Sequence, residues 1–221
     1  MRLKIILFLL AVLPFATFAH DVSGGDRALL ESGGLLAYIW VGAKHMLTGY
    51  DHLLFLVGVI FHLKHFRDIV RFITAFTVGH SITLISATYL HIAVNEHLID
   101  AMIGLSVLYK GFENLGLFQK LLKSNPPHLM WMVFLFGLIH GLGLSARLQS
   151  FAMDQEGLIL KILSFNLGVE LGQILALIPI VLIINYWRTK ESFQPLFKAV
   201  NTYLILAGIA LAIYQILQWG S

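Results

Sequence analysis

The chain contains no cysteine, which excludes disulfides, thiolate metal sites and cysteine-based catalysis. Charge is scarce as well. Asp, Glu, Lys and Arg make up 12% of the 221 residues, about half the share of about 25% usual in soluble domains. So few charges cannot cover a surface that faces water. The formal charge of +3 is too small and too dispersed to bind nucleic acid. The strand-length alternation of a membrane barrel is missing, which leaves the helix as the way to cross lipid. No separate soluble domain, low-complexity tract or strong internal repeat is visible.

Apolar residues take up 58% of the chain, and the mean hydropathy of +0.82 makes lipid the natural solvent. The reading is an all-α, polytopic membrane protein. Residues 1–19, MRLKIILFLLAVLPFATFA, have a basic start at Arg2 and Lys4, an apolar core and small residues up to Ala19. That pattern predicts a secretory signal peptide cleaved after Ala19, leaving His20 first. Residues 20–34 form a short extracytoplasmic segment, and 35–221 a transmembrane domain. At about 20 residues per crossing, six spans are expected, near 35–61, 72–90, 98–112, 129–148, 158–187 and 200–219. The apolar run after His52 is short, so a break near Gly49 is expected in the first span. Pro179 should free the carbonyl of Leu175 in the fifth. Gly137 and Gly141 give the fourth span a face small enough for close approach. Nine Lys and Arg fall in the loops placed inside by the signal peptide, among them Lys64, Lys110 and Arg188, against four outside. The positive-inside rule therefore agrees with mature termini outside the cytoplasm.

The informative residues are the polar ones within the spans, because a charge at the bilayer centre costs about 2.5–3.5 kcal/mol. His45 and His52 are seven positions apart and project nearly in line, with Asp51 one step round. Imidazole with a carboxylate suits nickel, zinc, cobalt or iron, and Asp51 could instead hold a ring N–H without touching the ion. His80 lies near the middle of the second span, and His140 lies among glycines in the fourth. Asn166, Glu170 and Gln173 share a face of the fifth, and Glu170 is the residue lipid tolerates least. Four spans thus each bring His or carboxylate to interior depth. His91, Glu96 and His97 could collect ions at the outer end.

The stretches HMLTGYDHLLFLVGV, ITAFTVGHSITL, IGLSVLYKGFEN, FGLIHGLGLSA and SFNLGVELGQ run in order from His45 to Gln173. In them the chain resembles the HupE/UreJ family of bacterial membrane proteins, in particular its second branch. The resemblance implies a signal peptide, about six further helices in the inner (cytoplasmic) membrane, and metal-ion permease activity tied to nickel supply for hydrogenase or urease. It places the family's polar positions on His45, Asp51, His52, His80, Glu113, His140, Asn166, Glu170 and Gln173. Asp100 departs from the Glu common at that position.

The expected function is transport of a divalent transition-metal ion, nickel first. The ion would enter near His45 and bind at His45, Asp51 and His52, with His80, His140 and Glu170 completing or relaying the site. Two alternatives stay open. One is a metal-dependent intramembrane hydrolase using zinc, with Glu170 as base. The other is an accessory protein that hands metal on. The expected partners are the metal ion, membrane lipid, and a metallochaperone or a second copy of the chain.

Overall fold

The structure, a computed structural model, describes residues 24–61, 63, 65–149 and 157–219. The signal peptide expected at 1–19 lies outside the described residues. What is described is all α: α1 Gly24–Ser32, α2 Gly34–Thr48, α3 Tyr50–Ile60, α4 Phe66–Tyr89, α5 Glu96–Asn114, α6 Leu117–Leu121, α7 Leu129–Gln149, α8 Leu158–Arg188 and α9 Phe193–Trp219.

The expectation of six spans is corrected. Among the described residues, four helical stretches are long and apolar enough to cross a membrane: Arg67–Tyr89, Leu129–Ala146, Leu158–Arg188 and Phe193–Trp219. The first expected span is two helices. Gly49 adopts an extended conformation between α2 of 15 residues and α3 of 11. At about 1.5 Å per residue these reach about 22 and 16 Å, short of the hydrocarbon thickness of about 30 Å. The third, α5, has 19 residues, but any eighteen of them include at least three of Glu96, Asp100, Lys110 and Glu113. The chain is thus a polytopic membrane protein whose remaining helices complete the bundle. Its outer surface agrees, with Trp40, Ile82, Trp131, Leu182, Leu206 and Leu217 exposed.

Three helix pairs pack most extensively: α2 with α8, α4 with α7, and α5 with α9. Contact order gives their directions. Ile39 meets Gly168 and Ala43 meets Gly172, so α2 and α8 run parallel. Phe76 meets Gly137 and His80 meets Gly141, so α4 and α7 are parallel too, whereas α5 and α9 are antiparallel, with Gly104 against Gly208 and Gly111 against Asn201. The two parallel pairs approach backbone to backbone. A Cβ on Gly137 would stand 2.3 Å from the Phe76 oxygen, and one on Gly168 would stand 2.0 Å from that of Ile39. In lipid, such close packing replaces the hydrophobic drive available in water.

Polar groups pin the ends of the short helices. Lys44 on α2 donates to both carboxylate oxygens of Asp26 on α1, at 2.8 and 2.9 Å. At the far end of α3, Arg188 donates to the carbonyls of Phe61 and Leu63 at 3.0 and 3.3 Å. Asn114 donates to the carbonyl of Gly58 at 2.7 Å and to Asn201 Oδ1 at 2.6 Å. The bonds to Gly58 and Phe61 serve carbonyls at the end of α3 that the helix itself leaves open. Lys110, counted from sequence as an inner-loop charge, is instead completely buried in α5 and paired with Glu113 one turn on.

Candidate functional site

Two features of the backbone bring histidines together. The first is the break at Gly49. It sets His45 in the last turn of α2 and His52 in the first turn of α3. The chain stays hydrogen-bonded across the break, from Gly49 N to the His45 carbonyl at 2.9 Å and from Leu53 N to the Gly49 carbonyl at 3.0 Å. The ring centres of His45 and His52 lie 5.1 Å apart, edge to face. The second feature is the seam of α4 and α7. Gly79, Gly137 and Gly141 let the two backbones touch, and each helix presents a histidine beside that seam, His80 and His140. The His140 ring stands 4.9 Å from that of His52, again edge to face.

His45, His52 and His140 thus form a row across three helices. Its exposure falls inward. His45 is partly exposed, while His52 and His140 are buried. Beyond His140 the row meets Phe76, centre to centre at 5.1 Å. Phe76 in turn stacks on His80 at 6.0 Å. Phe55 and Phe136 close the space below, with ring centres 5.2 Å apart. The phenylalanines at 55, 72, 76 and 136 carry no polar signal and look like ordinary core.

Hydrogen bonds set the rings of His140 and His80. His140 Nδ1 lies 2.7 Å from its own helix carbonyl at Phe136. His80 Nδ1 lies 2.9 Å from Asn166 Oδ1 on α8. A carbonyl oxygen only accepts, so each Nδ1 is the donor, and in the neutral ring Nε2 carries the electron pair. Further along the same α4–α8 seam, Thr77 donates to Gln173 Oε1 at 3.4 Å.

The carboxylates fall differently. Asp51 lies in the first turn of α3, and its side chain is outside the described residues. Glu170 sits on the α4–α8 seam, half-buried, in a crevice of about 70 Å³ lined by Ile69, Val70, Ile73, Ile174, Leu177 and Ile178. The structure therefore brings together His45, His52 and His140, adds His80 through Phe76, and holds Glu170 apart among aliphatic side chains. At the other end of the bundle His97 Nδ1 pairs with Gln215 Oε1 at 2.8 Å, and Gln215 donates to the buried Asp100 at 3.3 Å. Among the described residues, no three His, Asp or Glu side chains meet closely enough to enclose a metal ion. Chemically the row offers neighbouring pairs of donors in place of one cage.

A family model described as "HupE / UreJ protein" matches residues 27–221. No curated protein and no solved structure matches the chain.

Proposed function

The chain belongs to the HupE/UreJ family, and from that premise we propose that it is a permease for a divalent transition-metal ion, with nickel as the cargo. The observation that carries the proposal is the row His45, His52, His140, with centres 5.1 and 4.9 Å apart. With about 2.1 Å from nitrogen to metal and about 1.1 Å from nitrogen to ring centre, each imidazole centre stands about 3.2 Å from a bound ion. Centres 5 Å apart then subtend about 100° at the metal, the angle between neighbouring ligands in tetrahedral or octahedral coordination. The spacing of each neighbouring pair is compatible with a shared ion, and His52 belongs to both pairs. An ion moving from one pair to the next exchanges one imidazole while keeping the other.

Two protein donors per station leave the remaining positions to water. That suits a carrier, since the ion can leave as well as bind. A hydrolytic zinc site keeps three protein ligands and one open position, and among the described residues no such trio assembles. The break at Gly49 supports the same reading, because broken helices place backbone carbonyls and helix ends beside transported ions. Neutral imidazole gives a metal-selective but weak site, and protons compete for it.

The test is Ni²⁺ or Co²⁺ uptake into proteoliposomes by the wild type and by His52→Phe, which keeps an aromatic ring but removes both nitrogens. Uptake should fall at least tenfold. Equal uptake would remove His52 from the path, and with it the row.

A further inference from the structure

We infer that Asn166 is a positioning residue, holding the His80 ring so that Nε2 faces the path with its electron pair while Nδ1 is occupied. The inference rests on the transport reading for what Nε2 is used for, but not for the positioning itself.

The bond joins two helices. His80 is on α4 and Asn166 on α8, both almost fully buried, with Nδ1 and Oδ1 2.9 Å apart. In such a place a ring can reorient only by breaking this bond. The other end of the amide is as informative. Asn166 Nδ2 is buried and has no hydrogen-bond partner among the described residues. An asparagine present to tie two helices together would use both ends, and a leucine would fill the space without stranding a donor. The bond to His80 is what accounts for an amide at this position.

The neighbouring helix shows the same arrangement by other means. The Phe136 carbonyl occupies His140 Nδ1 at 2.7 Å, so both buried rings at the α4–α7 seam present the same nitrogen. A metal-bound histidine commonly has its second nitrogen fixed in this way by a carboxylate or carbonyl. Here the fixing group on His80 is a neutral amide. A carboxylate would add negative charge beside the ring and hold a cation more tightly. An amide orients the ring without that charge, which suits a station that must release its ion.

The experiment is ¹⁵N NMR of the histidine side chains in the purified full-length protein, with His80→Gln identifying the His80 signals. Co²⁺ titration of the same samples gives the affinity. In the wild type, His80 should show a protonated Nδ1 and a bare Nε2. Asn166→Leu should move His80 to a mixture of tautomers and leave His140 unchanged. Asn166→Asp, which still accepts from Nδ1–H, should restore the wild-type tautomer. A wild-type His80 protonated on Nε2, or an Asn166→Leu protein with an unchanged tautomer, would overturn the inference. If Asn166→Leu does not fold, the wild-type and Asn166→Asp spectra still decide it. If the tautomer follows Asn166 while even the wild type binds no Co²⁺, the positioning stands and the transport reading falls.

Discussion

Replacing Gly137 by Ala tests whether the contact of α4 with α7 builds the site. The added Cβ would stand 2.3 Å from the Phe76 oxygen and 3.1 Å from the His80 nitrogen, where ordinary contact begins at 3.4 Å. Both obstacles are backbone atoms, so the helices must part by about 1 Å. Overpacking of this kind costs about 1–3 kcal/mol, and a rigid backbone obstacle places it in the upper part of that range. Alanine recovers up to about 1 kcal/mol through its better helix propensity. The net loss is about 1–2 kcal/mol, or roughly 2–8 °C in melting temperature for a chain of this size. Gly143→Ala is the control. Its Cβ would meet only side-chain atoms, the nearest being Ile99 Cγ2 at 3.0 Å, which can give way. Thermal unfolding in detergent should therefore rank Gly137→Ala well below Gly143→Ala, and Ni²⁺ uptake should fall in the first alone. A Gly137→Ala protein that melts with or above Gly143→Ala would refute the close-contact reasoning.

The buried pair of Lys110 and Glu113 gives a second test. Lys110→Met, which removes the cation beside a buried carboxylate, should cost about 3–5 kcal/mol, and Lys110→Met with Glu113→Leu should cost clearly less in the same unfolding assay. Arg188→Ala strips donors from the carbonyls of Phe61 and Leu63. It should destabilise the end of α3 by about 1–3 kcal/mol, seen as faster amide exchange over residues 53–61 with α4 unchanged. Protons compete with metal for imidazole, so Co²⁺ affinity should weaken as pH is lowered, and calorimetry at a series of pH values checks the sign.

Much of the helical order was legible because lipid leaves long apolar runs one solution. The expected spans at 129–148 and 158–187 match α7 and α8 to within a residue or so. The break near Gly49 was also legible, from the short apolar run after His52. The count of spans was not. In α5 the apolar run from Met102 to Tyr109 suggests a span, but Asp100, Lys110 and Glu113 leave the helix outside the four that are long and apolar enough to cross, and Lys110 and Glu113 pair inside the protein. Lys110 shows why: a Lys one turn before a Glu can be a loop charge or a buried pair, and only the packing partner decides. Glu170 makes the same point. Helical spacing correctly put Asn166, Glu170 and Gln173 on one stripe. It could not say that Asn166 would meet a histidine while Glu170 met Ile69, Val70 and Ile73. Periodicity gives the face of a helix and leaves the opposing surface open.

The central claim is that metal passes along pairs of histidines. X-ray absorption of the protein loaded with less than one Ni²⁺ per chain tests it most directly, because it counts the imidazoles around the ion. Two imidazole nitrogens, with oxygen completing the shell, is the result expected from the row, falling to one in His52→Phe. A shell of oxygen alone, or one of three or more imidazoles unchanged by His52→Phe, would contradict it.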